Sequence, residues 1–244
     1  MRVALFVACF DDALFPATGR AVTALLERLG HDVSYPPGQT CCGQVHWTTG
    51  YHREAAGLAR AFTAAFEGAE AIVAPSASCA AAVRDAYPRI ARASRDAALA
   101  RAAEDLAVYE LTEFLVDVLG VTDVGAYFPH RVTYHPSCQS ARTLGVADRP
   151  LRLLRAVKGL DLVELPAADE CCGFGGAFAM KNADVSVAMV ADKVRHVRDT
   201  GADVVCAVDN GCLAHIGGAL SRLRGGVRVM HLAEILAACH GAGC

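Results

Sequence analysis

The chain repeats itself, and no other feature limits its possible folds as much. Arg2-Val3 precedes Cys9 at the same distance as Arg131-Val132 precedes Cys138. Cys41-Cys42-Gly43 recurs as Cys171-Cys172-Gly173, and Gly68-Ala69 stands before Cys79 as Gly201-Ala202 stands before Cys212. A fourth match aligns Val108-Tyr109-Glu110-Leu111-Thr112-Glu113 with Val229-Met230-His231-Leu232-Ala233-Glu234. Keeping that match in step requires about twelve extra residues in the first copy. The Ala/Arg-rich stretch from Arg89 to Ala103 has room for them, as one longer exposed helix. The repeats therefore read as residues 1–126 and 127–244. Their join, Gly120 to Pro129, is short, so packed halves are expected.

Within each repeat, strand patterns alternate with helix patterns. Val3 to Ala8, Asp32 to Tyr35, Ala71 to Ala74, Val132 to His135 and Asp203 to Val208 read as strands. Thr18 to Leu29 carries Val22, Leu25, Leu26 and Leu29 at helical spacing, with Gly30 as its stop. Ala55, Ala59, Phe62 and Phe66 stripe a second helix, and Val187, Val190, Val194 and Val197 stripe a third. A further helix starts at Cys79, and Asp148 and Pro150 open another. The expected fold is α/β: two tandem homologous βα repeats with mostly parallel sheets, related by a pseudo-two-fold, with cysteines at the C-terminal strand ends.

Composition narrows the function. Apolar residues make up 54% of the chain and charged residues 20%, which supports a sizeable core and excludes disorder. A net charge of -3 offers no electrostatic case for nucleic acid. Asp11 and Asp12 end the apolar start too early for a signal peptide, and no apolar run is long enough to span a membrane. A reducing cytoplasm follows, where thiols bind metal or do redox chemistry more often than they form static disulfides.

Eight of the eleven cysteines follow the duplication: Cys9, Cys41, Cys42 and Cys79, then Cys138, Cys171, Cys172 and Cys212. Four sit just past strand ends and four lie in Cys-Cys-Gly loops, so one sheet edge collects four sulfurs per repeat. Helix N-termini nearby favour thiolates, and Gly43, Gly173, Gly175 and Gly176 let backbone pass close to a cofactor. Four thiolates suit zinc or an iron–sulfur cluster. Zinc sites usually pair ligands in Cys-x2-4-Cys knuckles, whereas these stand singly or adjacent, roughly thirty to forty residues apart, which favours a cluster. Cys206, Cys239 and Cys244 have no counterpart and read as a strand-core residue and two C-terminal thiols. His135, His46 and His215 stand near the ligands as candidate supporting groups. Gly173-Phe174-Gly175-Gly176 lacks a trailing Lys-Ser/Thr, so nucleotide binding is not supported.

The duplicated Cys…Cys-Cys-Gly…Cys pattern resembles the cysteine-rich CCG domain family, which includes a cluster-bearing component of heterodisulfide reductase and the glycolate oxidase iron–sulfur subunit. The likeness is densest from Glu164-Leu165-Pro166 to Gly176 and from Gly201 to Leu213. It implies an iron–sulfur oxidoreductase subunit with one or two clusters, the eight cysteines being the ligands and no catalytic residue being identified. It further implies oxidation of L-lactate to pyruvate beside a ferredoxin-type iron–sulfur subunit and a third small lactate-utilization protein. The family motif ends in Cys-x-x-Cys. Here Ser76 and Asp209 replace its first cysteine, so a simpler [4Fe–4S] cluster is implied rather than the noncubane type. Three alternatives stay open: a disulfide reductase of the heterodisulfide type, a zinc-binding scaffold, and a thiol switch at Cys41-Cys42 and Cys171-Cys172.

Overall fold

The computed structural model describes residues 1–146 and 148–239. The chain divides into two compact units, Met1–Phe114 and Leu115–Cys244. The first contains β1 (Arg2–Leu5), α1 (Cys9–Leu14), α2 (Pro16–Arg28), β2 (Asp32–Ser34), α3 (Gln44–Thr48), α4 (His52–Ala65), β3 (Ala71–Ala74), α5 (Ala77–Ala81), α6 (Tyr87–Ser94), α7 (Ala97–Glu104), β4 (Val108–Glu110) and α8 (Leu111–Glu113). The second contains β5 (Arg131–Tyr134), α9 (Asp148–Ala156), β6 (Asp161–Val163), α10 (Phe178–Lys181), α11 (Ala183–Asp199), β7 (Val204–Ala207), α12 (Asn210–Arg222), β8 (Arg228–His231) and α13 (Leu232–Ala237).

Among the described residues each unit has one four-stranded sheet, ordered β2-β1-β3-β4 in the first and β6-β5-β7-β8 in the second. Every strand pair is parallel; Val3 faces Ala71 and Val132 faces Val204. The α/β class with tandem βα repeats is thus as the sequence implied. In this order the chain leaves β1 toward one edge and returns toward the other through β3. That reversal opens a crevice beyond the carboxyl ends of β1 and β3, and likewise of β5 and β7.

Parallel strands covered on both faces must be apolar throughout, which Ala71–Ala74 and Val204–Ala207 satisfy with every residue buried. Val22, Leu25 and Leu26 of α2 and Ala55, Ala59 and Phe62 of α4 form the buried faces expected from their spacing. In α11 the buried face is Val190, Lys193, Val194 and Val197. Val187 was expected on this stripe but is 61% exposed, because Ser186 takes the inward position one residue earlier.

Other boundaries shift for local reasons. β1 ends at Leu5 rather than Ala8, since the Val7 N–H turns to the Gln39 side chain (3.0 Å) instead of a neighbouring strand. The long helix expected over 89–103 is two helices. Arg95 adopts a left-handed conformation (φ 53°), and Asp96 then caps α7 by accepting from Leu99 N at 3.0 Å. β4 and β8 were visible only as a repeated motif; they are short strands closing each sheet.

Glu110 ends β4 and starts α8. Its carboxylate accepts from Thr112 N (2.8 Å), Glu113 N and the Thr112 hydroxyl, while Glu113 reaches back to Glu110 N. Because Glu110 is buried, Glu110→Ala leaves several donors without a partner. A loss of about 2 kcal/mol is expected, read as a lower urea midpoint at unchanged slope.

Candidate metal centres

The crevices hold the cysteines. In the first unit Cys9 opens α1 after β1, Cys79 lies in the first turn of α5 after β3, and Cys41-Cys42 lie in the loop after β2. In the second, Cys138 follows β5, Cys212 lies in the first turn of α12 after β7, and Cys171-Cys172 lie in the loop after β6. The loops after β1, β2 and β3, like those after β5, β6 and β7, each deliver one sulfur or one adjacent pair to the same sheet edge.

The sulfurs meet. The first unit's form a continuous chain of contacts from Cys9 to Cys41, Cys42 and Cys79, with Cys42 Sγ and Cys79 Sγ 3.2 Å apart. The second unit's chain runs from Cys138 to Cys171, Cys172 and Cys212 in the same way. Hydrogen bonding by Cys42 and Cys9, joined by the Gly43 N–H at 3.4 Å, holds the Cys41 thiol down to about 2. Cys138 and Cys172 do the same for Cys171, with the Gly173 N–H at 3.3 Å, again giving about 2. The thiols of Cys9, Cys42, Cys138 and Cys172 are pushed up by sharing hydrogen bonds with that neighbouring sulfur and by burial. Hydrogen bonding thus favours the thiolate at one sulfur of each set, Cys41 and Cys171, and a cation that binds protonated thiols releases their protons.

Among the described residues, Cys206 and Cys239 stay apart from these sets. Cys206 is fully buried within β7, its thiol raised by burial. Cys239 is disulfide-bonded, which corrects the reading of it as a free C-terminal thiol. Cys244 lies outside the described residues.

Supporting groups are well defined in the second unit. A His135 ring nitrogen and the Cys172 and Cys212 sulfurs lie within 4.8 Å of one another. Burial, and then the charge of Lys193, lower the His135 pKa to about 4, so the imidazole is neutral and able to ligate or hydrogen-bond. Ser186 Oγ donates to Gly173 O at 2.8 Å and sits 3.1 Å from His215 Nε2. With its one proton spent on Gly173, Ser186 accepts from His215, which places the imidazole proton on Nε2. His215 thus braces the Cys-Cys-Gly loop through Ser186. In the first unit, His46 on α3 lies within electrostatic reach of Cys41. Ser76 caps α5 by accepting from Cys79 N at 3.3 Å; Asp209 precedes α12, with its charge felt at Cys138. Lys193 went unnoticed in the sequence, although a lysine inside a valine stripe was its signal. It is buried, and its ammonium donates to Ala167 O at 2.7 Å.

Four soft donors at one sheet edge, with backbone N–H groups aimed at one of them, fit a thiolate-bound metal or metal cluster. The residues available to hold it are Cys9, Cys41, Cys42 and Cys79 in the first unit, and Cys138, Cys171, Cys172 and Cys212 in the second.

Two α/β units that each gather four cysteines this way define a class of cysteine-rich domains. The chain belongs to the cysteine-rich domain family CCG, whose model matches residues 3–84 and 132–217. Over nearly its full length it is similar to proteins named Lactate utilization protein A. It is 46% identical to that of Oceanobacillus iheyensis, over 97% of this chain and 96% of the relative. It is 48% identical to that of Geobacillus kaustophilus, over 97% and 98%, and to that of Bacillus velezensis, over 97% and 99%. Among the described residues no helix is long and apolar enough to cross a membrane.

Proposed function

We propose that this chain is a cytoplasmic iron–sulfur subunit in the oxidation of L-lactate to pyruvate. Each unit holds one [4Fe–4S] cluster through its four cysteines. The observation that carries this reading is the pair of four-sulfur chains at matching sheet edges. The relatives named for lactate utilization supply the substrate class. A cluster bound there supplies one-electron transfer. The chain's own residues position it: Gly43 and Gly173 N–H groups face the Cys41 and Cys171 sulfurs, and Ser186 with His215 holds the second loop. Partly exposed Cys9, Cys138 and Cys171 leave the sites near the surface, where a ferredoxin-type subunit and a third small lactate-utilization protein dock and exchange electrons.

A second reading, a zinc-binding scaffold, is favoured by one observation, the mixed grouping of His135 with Cys172 and Cys212. One experiment separates the two. Iron, acid-labile sulfide and zinc are counted per chain after purification without oxygen, with low-temperature EPR before and after reduction. About eight irons and eight sulfides support two clusters, and about four support one. Stoichiometric zinc without sulfide sinks the electron-transfer reading.

A further inference from the structure

The second unit surrounds its cysteines with polar groups at places where the first unit is apolar. The units match position by position. Beyond β1, Phe6 N donates to Val73 O at 2.9 Å; beyond β5, His135 N donates to Cys206 O at 2.8 Å. His135 therefore stands where the first unit has Phe6. A Cβ on Gly43 would meet Ala55 and Leu58, and one on Gly173 would meet Ser186 and Met189. That puts α4 and α11 in one register and Lys193 in the place of Phe62. In the first unit these places hold packed rings: Phe6 and Phe62 lie edge to face at 4.8 Å, and Phe62 contacts Phe66 and Tyr87. The second unit has a buried imidazole and a buried ammonium there instead. Ser137 for Ala8, Ser186 for Ala55 and Asn210 for Ala77 are exchanges in the same direction, all at buried positions.

The exchanged groups reach the site. A His135 ring nitrogen lies within 4.8 Å of the Cys172 and Cys212 sulfurs, and its Nδ1 is buried without a hydrogen-bond partner. Lys193 lies within electrostatic reach of Cys172 and Cys171. Adding an electron makes a thiolate-bound cluster more negative. Polar contacts and a nearby cation stabilise that reduced form, whereas an aromatic shell does not. Three carboxylates act the other way: the charge of Asp209 is felt at Cys138, and Glu170 and Asp169 face Lys193, which itself reaches two of the four sulfurs. The first unit's own polar neighbours are His46, half-buried on α3 and within electrostatic reach of Cys41, and the buried Tyr87 phenol, within reach of Cys42, Cys79 and Cys41; neither brings a buried cation.

We propose that the two centres are unequal, and that His135 and Lys193, in place of Phe6 and Phe62, make the second unit's centre the one with the higher reduction potential. This rests on the iron–sulfur reading above.

The test is an anaerobic titration of the full chain with dithionite and redox mediators, read by low-temperature EPR, with iron counted on every sample. Two one-electron steps are expected. Cys171→Ser removes the higher step and Cys41→Ser the lower. His135→Phe and Lys193→Met each move the higher step to lower potential and leave the other in place. His135→Gln, which keeps a polar group, shifts it less than His135→Phe. If His135→Phe fails to fold, the wild-type titration set against the two cysteine variants still decides. Coincident steps, a higher step that survives Cys171→Ser, or equal movement of both steps in His135→Phe overturns the inference while the iron count leaves the cluster reading standing. A chain without iron overturns both, and the count identifies that failure.

Discussion

Serine in place of Cys171 is expected to remove about half of the bound iron, about four of about eight atoms per chain, and to leave the rest. In the second unit, hydrogen bonding lowers the thiol pKa of Cys171. Its sulfur accepts hydrogen bonding from Cys138 and Cys172 and from the Gly173 N–H, so it is the most strongly prepared donor of its set. A serine hydroxyl is a much weaker donor to iron and stays protonated at neutral pH, which leaves three thiols. Cys212→Ser should behave alike. The controls are Cys206→Ala and Cys239→Ser: the first residue is enclosed in β7 and the second is disulfide-bonded, so both variants should keep full iron. Equal iron in Cys171→Ser, Cys212→Ser and Cys239→Ser would sink the ligand assignment. Loss of all iron in Cys171→Ser would mean that the two units do not load independently.

Gly173→Ala should be among the most destabilising single-methyl changes in the chain, and Gly43→Ala a mild one. Both glycines follow a Cys-Cys pair with left-handed backbone, φ 85° and 78°. A side chain in that conformation costs roughly 1–2 kcal/mol at either position. The surroundings differ. At Gly43 the nearest atom to an added Cβ is Leu58 Cβ at 3.4 Å, an ordinary contact. At Gly173 the Cβ would stand 2.8 Å from Ser186 O and 2.9 Å from Met189 Cβ, and a helix backbone does not yield as a side-chain tip does. Overpacking adds roughly 1–3 kcal/mol, bringing Gly173→Ala to about 3 kcal/mol and Gly43→Ala to about 1. At about 2–4 °C per kcal/mol for a chain of this size, Gly173→Ala lowers the melting temperature by roughly 6–12 °C. The same methyl pushes on Ser186, which bonds Gly173 O and His215, so iron loading of the second unit should fall with it. Matching melting temperatures in the two variants would contradict the packing account.

Much of this molecule can be read from residue order. The duplication, the α/β alternation and the eight paired cysteines are local or spacing features, and spacing survives without coordinates. The apolar faces of α2 and α4 followed from helical periodicity because burial there is set by each helix's own sequence. The places where the reading failed share a cause. β1 stops early because Gln39, more than thirty residues away, takes the Val7 N–H. Val187 is exposed because contact with the Cys-Cys-Gly loop selects Ser186 as the inward residue. The helix over 89–103 breaks where Asp96 finds both the Leu99 N–H and Arg60, at 2.6 Å.

The sequence by itself determined which residues could hold metal, since only thiols recurring in register in both repeats stand out from an apolar background. Tertiary structure alone decided that four sulfurs meet. Strand order β2-β1-β3-β4 brings loops far apart in the chain to one crevice, and only the sheet sets that order. It also decided that the two sites differ. Phe6 and Phe62, like His135 and Lys193, lie on different elements, and neither pair exists until a strand end and a helix pack together. In one unit that packing closes on rings, and in the other on an imidazole and an ammonium, because a buried position takes its chemistry from what faces it.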